Sequence, residues 1–227
     1  TGATSTDTLK FSINGATPTG YKFSELRFDR KDYDLIISDG VDSNEDGVFD
    51  NQVTIRNFFA EEHPVDKVLA LDANGVQQEF SIKTNALINV IAVDNYSGTD
   101  YNENIITTYS DPTDPDARGN ILGGKGNDTI TGGSSVDVID GGFGTNTIKS
   151  SGGDDVIFVS KGTDTVEYTG VYGTDLIKGA TSDDKLKFTD KSLSQLTFTK
   201  NARTLEISDG TSTVQIERFF NEDGSVI

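Results

Sequence analysis

The 227-residue chain contains no cysteine, no methionine and no tryptophan, and a single histidine, His63. Without cysteine there are no disulfides and no thiolate chemistry. One histidine excludes sites built on two or more imidazole ligands and leaves any Ser-His-Asp triad dependent on His63. No apolar run is long enough to span a bilayer, and no basic-then-apolar leader opens the sequence. Positive charge is also scarce. Lys and Arg number 19 against 37 acids, a net charge of -18, which argues against binding nucleic acid or inserting into an anionic membrane. His63 precedes Pro64 in a polar stretch and reads as a surface-loop residue.

The acids that are present are unevenly divided, 27 Asp against 10 Glu, and glycine is high at 24. Glu suits solvated helices, whereas the short Asp side chain reaches back to nearby backbone in turns and tight metal loops. Thirteen Phe, seven Tyr and many β-branched residues leave enough apolar material to bury, so the composition is not that of a disordered chain. A cysteine-free, Asp- and Gly-rich chain suits a calcium-rich space outside a cell.

That excess of Asp is periodic. From Gly123 the sequence reads GGKGNDTIT, GGSSVDVID, GGFGTNTIK, SSGGDDVIF and VSKGTDTVE without gaps. Tyr168 and Thr169 are then inserted, and the period resumes as GVYGTDLIK and GATSDDKLK, ending at Lys187. The sixth position holds Asp128, Asp137, Asn146, Asp155, Asp164, Asp175 and Asp184; the eighth holds Ile130, Ile139, Ile148, Ile157, Val166, Ile177 and Leu186. Each block is a Gly-rich turn of about six residues and a strand of about three, with one inward aliphatic residue. One block cannot bury that residue; stacked blocks can. With two blocks per coil, block n lies beside block n+2 at about the 4.8 Å strand spacing. Asp128, Asn146 and Asp164 then form one row, and Asp137, Asp155 and Asp175 another. Like charges at about 4 Å repel by roughly 1 kcal/mol in water and about 4 at an effective dielectric of 20. Oxygen ligands at this density match several Ca²⁺ ions better than Mg²⁺.

The blocks resemble the RTX nonapeptide, the calcium-binding repeat of type I-secreted proteins. The resemblance implies a right-handed parallel β-roll in which each ion sits between two stacked turns. It would take the sixth-position side chains of both turns, with backbone carbonyls near positions two and four of one and one and three of the other. Carried over, one ion would use Gly124, Gly126 and Asp128 with Gly141, Phe143 and Asn146. Another would use Gly133, Ser135 and Asp137 with Ser150, Gly152 and Asp155. Gly144 and Gly162 join the candidate ligands along the same turns. Asn146 departs from the pattern: it offers an oxygen without charge, so its sites should be weaker. The insertion at Tyr168 and Thr169 falls where Asp155 would pair with Asp175.

A longer duplication overlies the short one. GATSTDTLKF from Gly2 and GATSDDKLKF from Gly179 agree at eight of ten positions. FSELRFDRKDYDLIISDG from Phe23 aligns with LSQLTFTKNARTLEISDG from Leu193, and VTIRNFF from Val53 with VQIERFF from Val214. Alternation of Leu26 and Phe28, Leu35 and Ile37, and Val53 and Ile55 predicts strands with one buried face. Leu196 and Phe198, Leu205 and Ile207, and Val214 and Ile216 repeat it. A solenoid end needs a cap; residues 188–227 read as that cap, and resemble the calcium-binding-related segments that follow RTX repeats. The first copy would cap a roll further upstream in a larger protein.

The first copy carries nine extra residues, DSNEDGVFD, between Gly40 and Val53. Asp42, Asn44, Asp46, Val48 and Asp50 follow the opening of an EF-hand loop, but position twelve is Val53 rather than Glu, and strands flank it. This predicts an EF-like calcium loop in a hairpin. VDKVLALDANGVQQEFSI reads as a hairpin around Asn74 and Gly75, ALINVIAVD and ENIITTY as two more strands, and Asp111, Asp114 and Asp116 lead into the roll.

The expected architecture is all-β: residues 1–117 an N-terminal β-rich module (duplicated motif 2–59, calcium loop 41–52), 118–187 the β-roll, and 188–227 an antiparallel β cap. The resemblance implies a non-enzymatic, monomeric calcium module of the secretion and folding-nucleation region at the C-terminal end of a large Gram-negative type I-secreted protein. That protein would be an adhesin, its partners calcium, the type I secretion machinery and an extracellular ligand. The alternative is an accessory ligand- or polysaccharide-binding module of a secreted RTX protease, lipase or epimerase. The segment has no zinc-binding His pair and no Gly-x-Ser-x-Gly elbow. Ice binding would need a regular rank of Thr and Asx, and the fifth positions (Asn127, Val136, Thr145, Asp154, Thr163, Thr174, Asp183) are irregular.

Overall fold

The computed structural model describes residues 7–10, 21–45, 48–49, 51–60, 65–108, 118–159, 161–222 and 225–226. The chain divides into two compact units, Thr1–Val90 and Ile91–Ile227. It is almost entirely β. Among the described residues no helix is long and apolar enough to cross a membrane.

The first unit holds strands β1 (Asp7–Lys10), β2 (Arg27–Lys31), β3 (Asp34–Ser38), β4 (Gln52–Ile55), β5 (Val65–Leu71) and β6 (Gln77–Ser81), and the start of β7 (Ile88–Val93). β2, β3 and β4 form an antiparallel meander, with Phe28 opposite Ile37 and Ile37 opposite Val53. The predicted hairpin around Asn74 and Gly75 joins β5 to β6. Gly75 supplies a positive φ of 78°, and Asp72 Oδ1 accepts from the amides of Asn74 and Val76, both at 2.9 Å. Leu35, Ile37 and Phe58 are fully buried. The alternation fails at Val53, which is 39% exposed beside the long loop.

The second unit is the roll. β8 (Asn95–Ser97), β10 (Arg118–Leu122), β12 (Val136–Asp140), β14 (Val156–Phe158) and β16 (Thr174–Lys178) stack in parallel as one sheet. β9 (Glu103–Thr108), β11 (Thr129–Thr131), β13 (Thr147–Lys149), β15 (Thr165–Tyr168) and β17 (Lys185–Phe188) form the other. Block n pairs with block n+2, as the nine-residue period requires: Ile130 with Ile148, Ile139 with Ile157, Ile148 with Val166. These aliphatic residues make the core, and Ile105, Ile121, Ile130, Ile139, Ile148 and Ile157 have no exposed surface. Burying one such side chain contributes roughly 1.5–3 kcal/mol, so a coil gains from stacking what it cannot gain alone. The parallel ladder runs past both ends of the nonapeptide run. Upstream, β8 and β9 add strands before residue 118; downstream, β20 (Thr213–Ile216) pairs in parallel with β16.

The two-residue insertion leaves the register intact. Val156 pairs with Leu176 and Val166 with Leu186 across it. The extra residues are absorbed by an aromatic cluster: Tyr168 packs on Tyr172 at 4.6 Å and on Phe188 at 5.4 Å, and both tyrosines are 1% exposed.

β18 (Thr197–Asn201), β19 (Thr204–Ser208) and β20 form the predicted antiparallel meander. Val214, Ile216 and Ile207 are buried as the alternation requires. Phe198 is not: it is 49% exposed, and all five residues of β18 face solvent. Period two gives the strand, but burial of a face needs a covering element, and β18 ends its sheet.

Candidate metal centre

The stacking brings the sixth-position residues into two rows on opposite sides of the roll. Within each row a fixed hydrogen bond repeats. The Asp128 amide donates to Asn146 Oδ1 (2.9 Å), that of Asn146 to Asp164 Oδ1 (3.2 Å) and that of Asp164 to Asp184 Oδ1 (2.8 Å). In the other row the Asp137 amide donates to Asp155 Oδ1 (2.7 Å) and that of Asp155 to Asp175 Oδ1 (3.0 Å). Asp155 and Asp175 are therefore paired despite the insertion.

One carboxylate oxygen is thus spoken for by the preceding coil. The second oxygen decides what the site can do. In Asp128, Asp155 and Asp164, which are 2%, 1% and 0% exposed, it is buried and has no hydrogen-bond partner among the described residues. An orphaned buried carboxylate oxygen is costly unless a cation neutralises it. Burial pushes the Asp128 and Asp155 carboxyls up to about 8, with Glu103 and Asp164 adding to the first and Asp175 and Asp137 to the second. Burial also raises Asp164, with Asp184 and Asp140 adding to it. Asp175, pushed up to about 6 by burial, is better served, because Ser150 Oγ donates to its Oδ2 at 2.8 Å. Asp137 Oδ2 accepts from the Gly133 amide (2.8 Å), and Asp184 Oδ2 from the Thr181 amide (2.8 Å).

Backbone carbonyls crowd the same spaces. A Cβ on Gly123 would overlap the Gly141 carbonyl and lie 2.8 Å from Asp128 Oδ2; one on Gly132 would overlap the Ser150 carbonyl and lie 2.9 Å from Asp137 Oδ2. The expected ligand residues come together in pairs. The Gly124 carbonyl accepts from Phe143 N (2.8 Å), that of Gly133 from Gly152 N (3.1 Å), and Gly144 bridges Gly162. Ser135 presents its carbonyl where a Cβ on Gly153 would clash. Gly144 shows why glycine is needed: its φ is 115°, and a Cβ would overlap the Gly126 carbonyl. Among the described residues no three acidic or histidine side chains converge on one point. The donor set is instead paired carboxylates with backbone carbonyls, all hard oxygens, which suits Ca²⁺.

Asn146 differs from its neighbours in a specific way. Its Oδ1 takes the Asp128 amide like any sixth-position carboxylate, but its Nδ2 donates to Asp164 Oδ1 at 2.9 Å. A donor therefore stands where the other turns carry a second oxygen.

Glu103 was not apparent from the sequence. It has no exposed surface, and its amide donates to Asp128 Oδ1 at 2.9 Å, the role that the sixth-position residues from Asp128 to Asp164 play in the coils that follow. Its Oε1 accepts from Tyr96 Oη (2.7 Å) and its Oε2 from the Thr99 amide (2.9 Å). The signal was GTDYNENII from Gly98, a degenerate block with glycine first, Glu sixth and Ile105 eighth, out of phase with the run from Gly123. Its partner at the start of the other row is Gly119, whose amide donates to Asp137 Oδ1 at 3.0 Å.

The EF-like loop is flanked by β3 and β4 as expected. Asp46 and Asp50 of that loop lie outside the described residues. His63, Asp111, Asp114 and Asp116 also lie outside the described residues.

Residues 118–148 and 136–166 match the family profile of the RTX calcium-binding nonapeptide repeat (4 copies). No curated protein matches the chain. Among solved structures, the crystal structure of extracellular lipase LipA from Serratia marcescens aligns with 97% of this chain at 14% identity and a TM-score of 0.29. The alignment covers 34% of the lipase chain, so this chain spans about a third of its length.

Proposed function

We propose, for a chain that carries an RTX calcium-binding module, that it is a non-catalytic element which folds when it meets extracellular calcium after type I secretion. We assign it to the secretion and folding-nucleation region at the C-terminal end of a large surface adhesin, with the ions held by Asp128, Asp155 and Asp164 and their stacked partners. The carrying observation is the set of three buried carboxylate oxygens without a hydrogen-bond partner. Bound calcium supplies the positive charge that these rows lack. Everything else is done by the chain. Asp128 and Asp155 hold one oxygen fixed through the amide of the preceding coil and leave the other buried without a donor among the described residues. When ionised without a counter-charge, the carboxylates repel at strand spacing by roughly 1–4 kcal/mol per neighbour. Low calcium therefore favours the unfolded, exportable chain. Binding that exists only in the folded state then drives folding by mass action; extracellular modules have affinities of about 10⁻⁴–10⁻³ M.

Far-UV circular dichroism in calcium and in chelator tests the reading. Much more β-structure is expected with calcium, and equal spectra would sink the proposal. Calcium-dependent appearance of the folded chain outside cells that express a type I exporter, and its failure to appear without the exporter, tests the secretion half.

A further inference from the structure

The two copies of the duplicated module share their internal pairing but not their surroundings. Phe28 lies opposite Ile37 as Phe198 lies opposite Ile207. Each hairpin follows a 3-10 turn, Phe23–Glu25 or Leu193–Gln195, closed by the same reciprocal cap. In the first copy the outer edge of β2 is taken by β7 in parallel, with Phe28 opposite Ile88 and Asp29 opposite Asn89. Asn89 Nδ2 adds a hydrogen bond to the Phe28 carbonyl at 3.0 Å. The β5–β6 hairpin lays Phe80 on Phe23 at 4.5 Å, and Phe23 in turn packs on Phe28 at 5.3 Å. Phe28 is 3% exposed as a result.

The second copy offers the same features uncovered. Among the described residues no strand pairs with the outer edge of β18. Leu193, in place of Phe23, is 74% exposed, and Phe198, in place of Phe28, 49%. β17, the counterpart of β1, ends the other sheet, whereas β1 pairs in parallel with β5. A cavity of about 410 Å³, lined by Leu186, Leu205, Ile207 and Phe219 among others, opens at this end of the roll. The first-copy counterparts of Leu205, Ile207 and Phe219, namely Leu35, Ile37 and Phe58, have no exposed surface. An unpaired strand edge beside an apolar face is a ready template for strand addition.

We infer that residues 188–227 form a socket built to accept a polypeptide segment of the kind formed by residues 65–93. Such a segment brings a hairpin carrying an aromatic ring for the Leu193 and Phe198 face, and a strand that adds in parallel to β18. The occupant is specified by the first copy, where an equivalent edge and face are filled by that segment of the same chain.

The test adds a synthetic peptide of residues 65–93 to the calcium-loaded full chain and follows hydrogen exchange. Amides of Thr197–Asn201 are expected to slow at least tenfold at saturating peptide. F198D should weaken peptide binding at least tenfold while leaving the calcium midpoint unchanged, because this side chain is half-exposed. Absence of slowing, or equal slowing in F198D, overturns the inference. Peptide solubility is bypassed by a chain in which residues 60–93 follow Phe220, matching the natural junction after Phe59; an unprotected β18 there overturns it as well. Protection of β18 that rises with protein concentration in the peptide-free chain would identify a second copy as the occupant and would also overturn it.

Discussion

Asp155→Asn isolates the charge of one carboxylate from its shape, and the chain already contains the control. Asn146 shows how an amide sits at a sixth position: Oδ1 accepts the amide of the preceding coil and Nδ2 donates to the next carboxylate. The side-chain amide introduced by D155N would accept from the Asp137 backbone amide and donate toward Asp175 in the same way, so the fold is retained. Two opposite effects follow. In calcium, the site loses a charged ligand. Loss of even a supporting partner of a ligand typically weakens a metal site 10–100-fold, so the calcium midpoint for folding should rise at least tenfold. At free calcium 100 times the dissociation constant a site contributes about 2.7 kcal/mol, and a tenfold weakening removes about 1.3 of that. In chelator the sign reverses. Burial, with the nearby charges of Asp175 and Asp137, raises the Asp155 carboxyl from 3.8 to about 8. The folded apo chain therefore holds a proton that the unfolded chain has released. Stability from this group is fully present below about pH 4 and is lost as pH rises through about 8. Across that window the slope approaches 1.4 kcal/mol per pH unit for one full proton. The amide carries no such proton, so the variant should lose less apo stability between pH 5 and pH 9 than the parent and be the more folded in chelator at pH 9. Circular dichroism across a calcium titration and across apo melts at these pH values reads both effects. An unchanged calcium midpoint together with an unchanged apo pH slope would refute the assignment of Asp155 as a charged ligand.

Asn146→Asp should do the reverse, lowering the calcium midpoint while destabilising the apo chain, since it replaces a donor to Asp164 with a second buried carboxylate; the same titration measures it. Gly144→Ala should destabilise the calcium-bound roll by more than about 2 kcal/mol, because φ is 115° and the new Cβ overlaps the Gly126 carbonyl; urea unfolding in saturating calcium reports it. Tyr172→Phe removes a buried hydroxyl that has no hydrogen-bond partner and should be neutral to stabilising by up to about 1 kcal/mol, read as an unchanged or raised melting temperature.

The roll was legible because its determinant is local and periodic. A nine-residue step with one aliphatic and one acidic phase admits little besides stacked short strands, and the observed pairs such as Ile139 with Ile157 follow from it. The rows of Asp were legible for the same reason. What the sequence could not carry was the state of each second carboxylate oxygen. The Gly133 amide satisfies Asp137 Oδ2, whereas no described residue satisfies Asp155 Oδ2, and this depends on the bend of individual turns. Glu103 escaped because seven extra residues put its block out of phase, and its role rests on a tertiary hydrogen bond to Asp128. Period two likewise showed that Phe28 and Phe198 lie on strands, but not that Phe80 shelters the neighbourhood of the first while the second lies open. Exposure at those positions is decided by what docks from elsewhere.

The repeated amide-to-carboxylate bond gives the roll a polarity, like a filament with unlike ends. From Glu103 to Asp164 each sixth-position N–H finds its acceptor downstream: Glu103 at Asp128, Asp137 at Asp155, Asp164 at Asp184. A coil arriving on the upstream side finds its acceptor already in place. A coil arriving on the downstream side must bring the acceptor with it, and until it does the amide of the coil before is left bare. Trimming coils from the upstream end leaves side-chain Oδ1 atoms without their donors, whereas trimming from the downstream end strands N–H groups, and either loss costs about 1–3 kcal/mol for each group that stays buried. The two ends of the ladder thus present unlike groups to whatever meets them, bare carboxylate acceptors upstream and bare amide donors downstream.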